Sequence, residues 1–227
     1  MLHLYHLKNS RSFRVVWLLE ELKLHYPIDY QLHTIDRDSK TLLAPESLTE
    51  IHPMGKAPIL LDDTLAVGEQ SMAESAAIIE YLLTNYDTKM QFRPSEAKLW
   101  RDYVYWLHFA EGTLMPPLVM GLILRKSVKK SPWFVKPVAK KFTTAINHAV
   151  LAKNITKALA MIETTLDKQP WLAERFSAAD IQMYLAVYGA KLANKITSNH
   201  PNIQAWLVRC EQRAAFVRAK ELAGEPL

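Results

Sequence analysis

Cysteine is almost absent from this chain of 227 residues, and the one that occurs is Cys210. A single thiol can form neither an intrachain disulfide nor a cysteine-rich metal cluster, so we expect a reducing, cytoplasmic environment. Glycine is also scarce, with six residues, and none of them stands in a GxGxxG or GxxxxGK pattern. The loops that cradle phosphate groups in nucleotide-binding folds are therefore excluded.

The histidines give no indication of a metal site. All eight are scattered, and no HExxH pattern occurs. His3 and His6 lie in a short apolar segment that is typical of a strand, where residues three apart point to opposite faces. Such a pair cannot converge on one ion, so we expect no bound metal.

Long hydrophobic runs are missing as well. The longest uncharged apolar stretch, residues 112–124, contains Pro116 and Pro117. As a helix, these thirteen residues would extend about 20 Å, whereas the hydrocarbon core of a bilayer is about 30 Å thick. We therefore expect no membrane-spanning helix. The first residues, MLHLYHLKNSRS, have neither the basic start nor the apolar stretch of a signal peptide.

The composition is that of a globular protein, with 49% hydrophobic residues, 22% charged residues and a net charge of +5. The positive charge is concentrated in one basic tract, residues 125–141, which contains seven cations and no acidic residue. Without these seven charges the rest of the chain sums to −2, which is not typical of a nucleic-acid-binding protein. The cations are Arg125, Lys126, Lys129, Lys130, Lys136, Lys140 and Lys141.

The role of the basic tract stays open at this point. It also contains Trp133 and Phe134, and it is typical of a solvated connection between two helices. One alternative is that it attracts anionic substrates to the rim of a site. Another is that it contacts a membrane surface, with the two aromatic side chains as anchors. We expect no nucleic-acid binding, because the tract is short and has no stacking module beside it.

The residue pattern divides the chain into two parts. Strand and helix patterns alternate over residues 1–84, whereas residues 95–227 are helical almost throughout. The polar stretch 85–94 has no clear period and is predicted to be the linker. Within the first part the sequence predicts, in order, a strand at 1–7, a helix at 13–24, a strand at 28–35, a hairpin of 59–61 with 65–67, and a helix at 71–83.

The second part is predicted to be a bundle of helices. The first begins near residue 95 and is expected to kink at the proline pair 116–117. Another follows at about 138–168. Ser177 and Asp180 have the spacing of a capping box, with Asp in place of the usual Glu, and predict the start of a further helix.

Three stretches together resemble the cytosolic glutathione transferase family. They are LYHLKNSRSFRVVWLLEEL at 4–22, HPMGKAPIL at 52–60 followed by ESAAIIEYL at 74–82, and FSAADI at 176–181 followed by Trp206, Arg209 and Arg213. Each motif alone is weak, but their combination, order and spacing are specific. The stretch 4–22 most resembles the serine-type branch of bacterial and fungal members.

The resemblance implies both a fold and an activity. The fold is an α/β, thioredoxin-like domain at 1–84 that binds glutathione, a linker at 85–94, and an all-helical domain at 95–227 that contributes the electrophile pocket. The activity is conjugation of the glutathione thiolate to apolar electrophiles, together with glutathione-dependent peroxidase activity. The family is cytoplasmic and homodimeric, with glutathione as co-substrate and no other cofactor. The alternative is a non-catalytic module of the same fold that serves binding or interaction.

Such a transferase must activate the glutathione thiol. A free thiol has a pKa of about 8.5, and lowering it by about two makes most of it thiolate at pH 7, which corresponds to ~2.7 kcal/mol. A hydroxyl donor at a helix N-terminus can provide this stabilisation. The resemblance places the donor at Ser10, whose alternative role is that of a plain helix N-cap. Tyr5 and Ser12 are rival donors.

The resemblance also implies which residues hold the peptide. Pro58 matches a cis-proline that turns the backbone of Ala57 outward, where it pairs with the backbone of glutathione. Lys56 is placed to meet the glycyl carboxylate. Ser75 and the backbone amides beside it suit the γ-glutamyl carboxylate, and Glu74 accepts from the ammonium group. Without the resemblance, Lys56 and Glu74 are ordinary surface residues.

The second substrate is expected against the helical domain. Candidate lining residues are Trp106, Phe109 and Thr113 of the long helix, with Phe13 from the first helix. Apolar residues at helical spacing are equally typical of a bundle core, so packing is the alternative role of all four positions. Asp180 matches a family position that serves folding, and we do not place it in the active site.

Overall fold

Four short strands form a sheet in the computed structural model, which describes residues 1–41, 43–66 and 71–227. The strands β1 and β2 run parallel, whereas β3 is antiparallel to both β1 and β4. The spatial order is β2-β1-β3-β4. Their bounds are β1 (Leu2–Leu7), β2 (Tyr30–Ile35), β3 (Ile59–Asp62) and β4 (Ser71–Ala73). The carboxyl ends of β1 and β4 therefore meet the amino end of β3.

Three helices belong to the same compact unit as the sheet. They are α1 (Phe13–Lys23), α2 (Ser75–Tyr86) and, at the end of the chain, the last helix Ala214–Ala223. A 3-10 turn, Glu46–Glu50, lies between β2 and β3. This unit consists of Met1–Trp100 and Arg209–Leu227. Its C-terminal part completes the core, because the ring of Phe216 lies edge-to-face on Trp17 and on Phe13 of α1, with centroids 5.0 and 5.4 Å apart.

Charged side chains lie inside this core. Every residue of α1 from Phe13 to Leu22 is buried, including Arg14, Glu20 and Glu21. Tyr30 of β2 donates to Glu20 Oε1 over 2.8 Å. Trp17 Nε1 donates to Glu21 Oε1 over 2.9 Å, and Arg213 Nη2 donates to Glu21 Oε2 over 2.8 Å. These bonds tie β2 and the C-terminal segment to α1.

The second unit, Arg101–Val208, is helical. In chain order its helices are α3 (Ala97–Phe109), α4 (Met115–Lys130), α5 (Lys136–Ile146), α6 (Ala152–Lys168), α7 (Ala178–Leu192) and α8 (Pro201–Glu211). The last helix of the chain, Ala214–Ala223 in the first unit, is α9. π-Helical turns at Ala110–Leu114 and Asn147–Leu151 join α3 to α4 and α5 to α6. The predicted division into 1–84, 85–94 and 95–227 stays a prediction; in the compact units, residues 85–100 and 209–227 belong with the sheet.

The proline pair 116–117 lies within a continuous helical stretch. A π-helical turn precedes it, and the prolines occupy the first turn of α4, where a missing N–H is tolerated. Among the described residues, Ala97–Lys130 is one helix that is long and apolar enough to cross a membrane by length and composition alone, contrary to the expectation from residues 112–124. Its middle section packs in the protein, where Leu114 and Leu118 are buried.

Two predictions are wrong in the segment between β3 and α2. The sequence predicts a single helix over 71–83, but residues 71–73 form β4 and α2 begins at Ser75. The predicted second hairpin strand at 65–67 is not formed by Leu65 and Ala66, and Val67 lies outside the described residues. Three residues are too few to show the alternation of a strand, so the sequence at 71–73 cannot be distinguished from the first turn of a helix.

The predicted capping box is present at the start of α7. The buried carboxylate of Asp180 accepts from the backbone N–H of Ser177 over 3.0 Å, from that of Leu172 over 3.1 Å, and from Trp206 Nε1 over 2.9 Å. Complete burial raises the pKa of Asp180 to about 6, against the lowering effect of these donors. One side chain thus joins α7, α8 and the loop before α7.

We expect Asp180→Ala to lower the free energy of unfolding by at least about 3 kcal/mol, because it leaves three buried donors without an acceptor at ~1–3 kcal/mol each. Urea unfolding at pH 7.5 measures the loss. The control is Asp36→Ala, which removes a carboxylate that is 80% exposed and pairs with Lys8, and should change stability by less than about 0.5 kcal/mol. Equal losses in the two variants would contradict the structural role of Asp180.

Candidate active site

The residues singled out for glutathione converge at one end of the sheet. In the strand register, Ile59 of β3 lies opposite both Tyr5 of β1 and Ala73 of β4. The residues just before Ile59 and just after Ala73 therefore neighbour the end of β1. Ser10, the Ala57–Pro58 peptide and the start of α2 are thus brought to the same end of the first unit.

A tight turn presents Ser10 at the beginning of α1. Asn9 has a φ of 52°, in the left-handed region that asparagine tolerates better than most residues, and Arg37 Nη2 donates to its carbonyl over 2.7 Å. Ser10 is half-buried. Its Oγ donates to the carbonyl of Leu7 over 2.7 Å and accepts from the N–H of Ser12 over 3.2 Å. Ser10 therefore closes the turn that leads into α1, whose N-cap residue is Ser12, and its own hydroxyl stays half-buried in this turn.

Ser12 belongs to a buried hydrogen-bond chain. Its Oγ lies 2.7 Å from Ser10 Oγ and 2.7 Å from His6 Nδ1, and it accepts from the N–H of Leu7 over 3.1 Å. On the far side of the ring, His6 Nε2 lies 3.0 Å from the carbonyl oxygen of Ala223. A carbonyl can only accept, so Nε2 carries the hydrogen.

The charge state of His6 determines which atom donates in each of these hydrogen bonds. Desolvation by burial lowers the pKa of His6, with the charge of Lys8 adding to the effect and the bond to Ala223 opposing it. The ring is therefore neutral at pH 7, and its Nδ1 accepts the hydroxyl hydrogen of Ser12. That hydrogen is committed to His6, whereas the hydrogen of Ser10 points to Leu7 or to Ser12 and is free to rotate toward a stronger acceptor.

Tyr5, the other rival donor, lies on the opposite face of β1 from His6, because successive strand residues alternate. Its ring stacks on His33 of β2 with centroids 4.6 Å apart and an angle of 13°. The ring of His3 also contacts His33, with centroids 5.5 Å apart and 3.2 Å between His3 Nδ1 and His33 Nε2. The geometry therefore gives Tyr5 a place in an aromatic stack, whereas Ser10 is the half-buried hydroxyl of the turn that leads into α1.

The peptide bond between Ala57 and Pro58 is cis, as predicted. Pro58 is buried, Ala57 is half-buried, and Lys56 is exposed. The backbone of Ala57 thus lies at the surface of the site, where an extended ligand can pair with it.

The start of α2 combines an unusual backbone with a buried cation. Glu74 is exposed and has a φ of 76°, a strained conformation that residues other than glycine rarely adopt and that recurs at ligand-binding sites. Ser75 is buried, and the fully buried Arg14 of α1 donates to its Oγ over 3.5 Å. An anionic group at the N-terminus of α2 would therefore meet backbone N–H groups and a cation beneath them.

Sequence reasoning missed Arg14 and His6, although both had a signal. Arg14 stands in an otherwise apolar stretch, Phe13–Leu19, which predicts a helix without a solvent face. His6 shares its strand face with Leu2 and Leu4, which predicts burial of its ring.

The candidate electrophile residues fall in both units. In the first, Phe13 is buried against Phe216. In the second, Trp106 and Phe109 are buried with ring centroids 5.0 Å apart, whereas Thr113 is exposed on the π-helical turn. Trp106 also lines a cavity of about 400 Å³ between α3 and α6, of which Phe109 and Thr113 are not part.

Within residues 1–41, 43–66 and 71–227, no group of three or more His, Cys, Asp or Glu side chains could hold a metal ion.

Two family models match the chain. The model described as "Glutathione S-transferase, N-terminal domain" matches residues 4–90, and the model described as "Glutathione S-transferase, C-terminal domain" matches residues 128–214.

Curated relatives agree with these models. Glutathione S-transferase 3 of Schizosaccharomyces pombe is 36% identical over 226 residues, which cover 97% of this chain and 87% of the relative. Glutathione S-transferase 1 of Saccharomyces cerevisiae is 30% identical over 224 residues, covering 96% of this chain and 93% of the relative.

Solved structures share the fold. A glutathione S-transferase from Actinobacillus pleuropneumoniae has a TM-score of 0.75 at 31% identity and covers 98% of this chain and 93% of its own. A glutathione transferase homologue from Lodderomyces elongisporus was solved with two glutathione molecules per subunit. It has a TM-score of 0.74 at 18% identity, and the match covers 97% of this chain and 98% of the homologue. The predicted fold, a small mixed sheet domain followed by a helical domain, is confirmed.

We expect His6 to be the neutral Nε2–H tautomer at pH 7 to 8, because burial lowers its pKa and the carbonyl of Ala223 requires a donor. Long-range proton–nitrogen NMR spectra of the imidazoles report the tautomer. The signal that disappears in the variant His6→Asn is that of His6. A Nδ1–H tautomer, or a ring that is charged at pH 7, would contradict the direction of the chain from Ser12 to His6.

Proposed function

The chain belongs to the glutathione S-transferase family of enzymes, and on this premise we propose that it conjugates the glutathione thiolate to apolar electrophiles, with Ser10 as the thiolate-stabilising residue. One observation carries the proposal. A half-buried serine hydroxyl stands at the N-terminus of α1, at the sheet end that also holds the cis Ala57–Pro58 bond and the start of α2. The L. elongisporus homologue, which holds glutathione, supports glutathione as the ligand.

The γ-glutamyl group of glutathione would lie at the start of α2. Its carboxylate accepts from Ser75 and the first backbone N–H groups, with Arg14 beneath them. Its ammonium group donates to the exposed carboxylate of Glu74. The ammonium group of the ligand thus meets the carboxylate of Glu74, and its carboxylate meets the N-terminus of α2 with the cation of Arg14 beneath it.

The remainder of the peptide would lie across the cis bond. The backbone of Ala57 pairs with that of the cysteinyl residue, in the manner of an added strand, and Pro58 holds this position at the start of β3. Lys56 is exposed next to it and meets the glycyl carboxylate. These contacts fix the direction of the thiol and contribute binding.

Thiol activation would rest on Ser10. When the thiol loses its proton to solvent, the hydroxyl hydrogen of Ser10 turns from Leu7 to the sulfur, because a charge-assisted bond is stronger than a neutral one. Such a bond contributes about 1.5–3 kcal/mol and the helix N-terminus about 0.3–1 kcal/mol. Together they match the ~2.7 kcal/mol that a pKa lowered by about two requires.

The thiolate would then attack the electrophile. The sulfur forms a bond to the electrophilic carbon, and the leaving group departs with its electron pair. With an organic peroxide, the sulfur attacks oxygen instead and gives an alcohol and a sulfenic acid, which a second glutathione converts to the disulfide and water. We also assign the chain to the cytoplasm as a homodimer; its single cysteine, Cys210, is buried and agrees with a reducing compartment.

Ser10→Ala should lower conjugation of chlorodinitrobenzene by about tenfold or more, since it removes a bond of at least 1.4 kcal/mol, about one decade in rate. The thiolate absorbance of bound glutathione should titrate at higher pH, with little change in glutathione affinity by calorimetry. The matched control is Tyr5→Phe, which removes the rival hydroxyl and keeps the ring on His33.

An unchanged thiolate titration in Ser10→Ala, or a shift in Tyr5→Phe instead, would overturn the assignment to Ser10. Absence of glutathione binding to the unmodified chain at millimolar concentration would overturn the proposed function and favour the non-catalytic alternative.

Glu74→Gln should raise the glutathione KM by about tenfold, the effect of losing a charged partner, while the pKa of the bound thiol stays unchanged. Glu50→Gln, at an exposed position of the 3-10 turn, is the control for the same substitution and should leave KM unchanged. A shifted thiol pKa with an unchanged KM would place Glu74 at the sulfur and contradict the proposed orientation of the peptide.

A further inference from the structure

The basic tract, residues 125–141, forms an ordered turn between two helices. Ser131 ends α4, and its Oγ donates to the carbonyl of Ser127 over 2.9 Å. The backbone N–H groups of Val135 and Lys136 then donate to the carbonyl of Pro132 over 3.0 and 3.1 Å and start α5. The backbone of the turn is therefore hydrogen-bonded, and it holds the side chains of the turn in place.

Large apolar side chains of this turn are exposed. Trp133 is 82% exposed and Phe134 is 66% exposed, and their rings meet edge-to-face with centroids 5.9 Å apart. On α5, Val138 is 69% and Phe142 is 66% exposed. These two residues are four apart, so they lie on the same side of the helix. Every residue of α5 is exposed or half-buried, so this helix contributes nothing fully buried to the core of its unit.

The cations around these side chains lack counter-charges. The sequence contains no acidic residue between Glu111 and Glu163. In the part of the chain that the structure describes, none of the seven cations of the basic tract forms an ion pair. The turn is thus an exposed apolar tip surrounded by positive charge that forms no ion pair with the described residues.

We propose that the basic tract docks on the surface of a bilayer that contains anionic lipids, with Trp133, Phe134, Val138 and Phe142 entering the headgroup region. Lysines attract the anionic surface, and aromatic and aliphatic side chains on an amphipathic helix bury area at its boundary. This inference is independent of the proposed function, since none of these residues is assigned to glutathione.

Two other occupants fit this surface less well. A twofold contact with a second copy would bring identical cationic surfaces against each other, which is repulsive. Single-stranded nucleic acid requires aromatic rings spaced to stack successive bases, whereas Trp133 and Phe134 are neighbours that pack on each other. Val138 and Phe142 are also exposed, and as apolar side chains they cannot bind the phosphate groups of a nucleic acid.

The test is sedimentation of the full chain with vesicles of phosphatidylcholine, with and without phosphatidylserine, at low and high salt. We expect binding only to the anionic vesicles, and release by salt, because screening weakens the attraction between the lysines and the lipid headgroups.

Two double variants test the residues. Lys129→Gln/Lys130→Gln and Trp133→Ser/Phe134→Ser should each weaken vesicle binding by about tenfold or more, with unchanged thermal stability. The control is Lys153→Gln/Lys157→Gln, which removes the same charge from exposed positions of α6 and should bind almost as the unmodified chain does.

Several results would overturn the proposal. These are no sedimentation with anionic vesicles at low salt, equal losses in the control and in Lys129→Gln/Lys130→Gln, or no effect of Trp133→Ser/Phe134→Ser. Vesicle binding that resists salt would indicate insertion of Ala97–Lys130 instead of surface contact. Tight binding of a DNA oligonucleotide that prevents vesicle binding would assign the tract to nucleic acid.

Discussion

The burial of α1 on every side is the constraint on which the first unit depends. Three charged side chains lie inside it: Arg14, Glu20 and Glu21. Leaving a buried charge unpaired costs several kcal/mol, so each must meet a partner from another element. Ser75 of α2, Tyr30 of β2 and Arg213 beside α9 supply these partners. The sheet, α2 and the C-terminal segment are thus positioned by one helix.

The site follows from the same constraint. The sides of α1 are covered, so a ligand cannot reach this helix from the side. The turn that leads into it stays accessible at Ser10, which is half-buried. The buried pair Ser12 and His6 holds the turn from below and links it to Ala223 at the end of α9. The C-terminal helix therefore supports the position of the proposed catalytic hydroxyl.

Much of the fold could be predicted from the sequence, because β1, α1 and the capping box at Ser177 each have a local pattern. β4 could not, since three residues carry no periodicity, and the π-helical turn before Pro116 has no sequence pattern of its own. For the site, motif resemblance supplied Ser10, Pro58 and Glu74. The tautomer of His6 and the bond from Arg14 to Ser75 depend on burial and distance, which no single stretch of sequence contains.

The central claim is that the hydroxyl of Ser10, in the turn that precedes the buried helix α1, meets the glutathione sulfur. A crystal structure of the complex with glutathione tests it most directly. The account predicts Ser10 Oγ within hydrogen-bond distance of the sulfur, with Ser12 still bonded to His6 and Tyr5 still stacked on His33. A sulfur bonded to Tyr5 or to Ser12, or a glutathione molecule whose thiol points away from the N-terminus of α1, would contradict it.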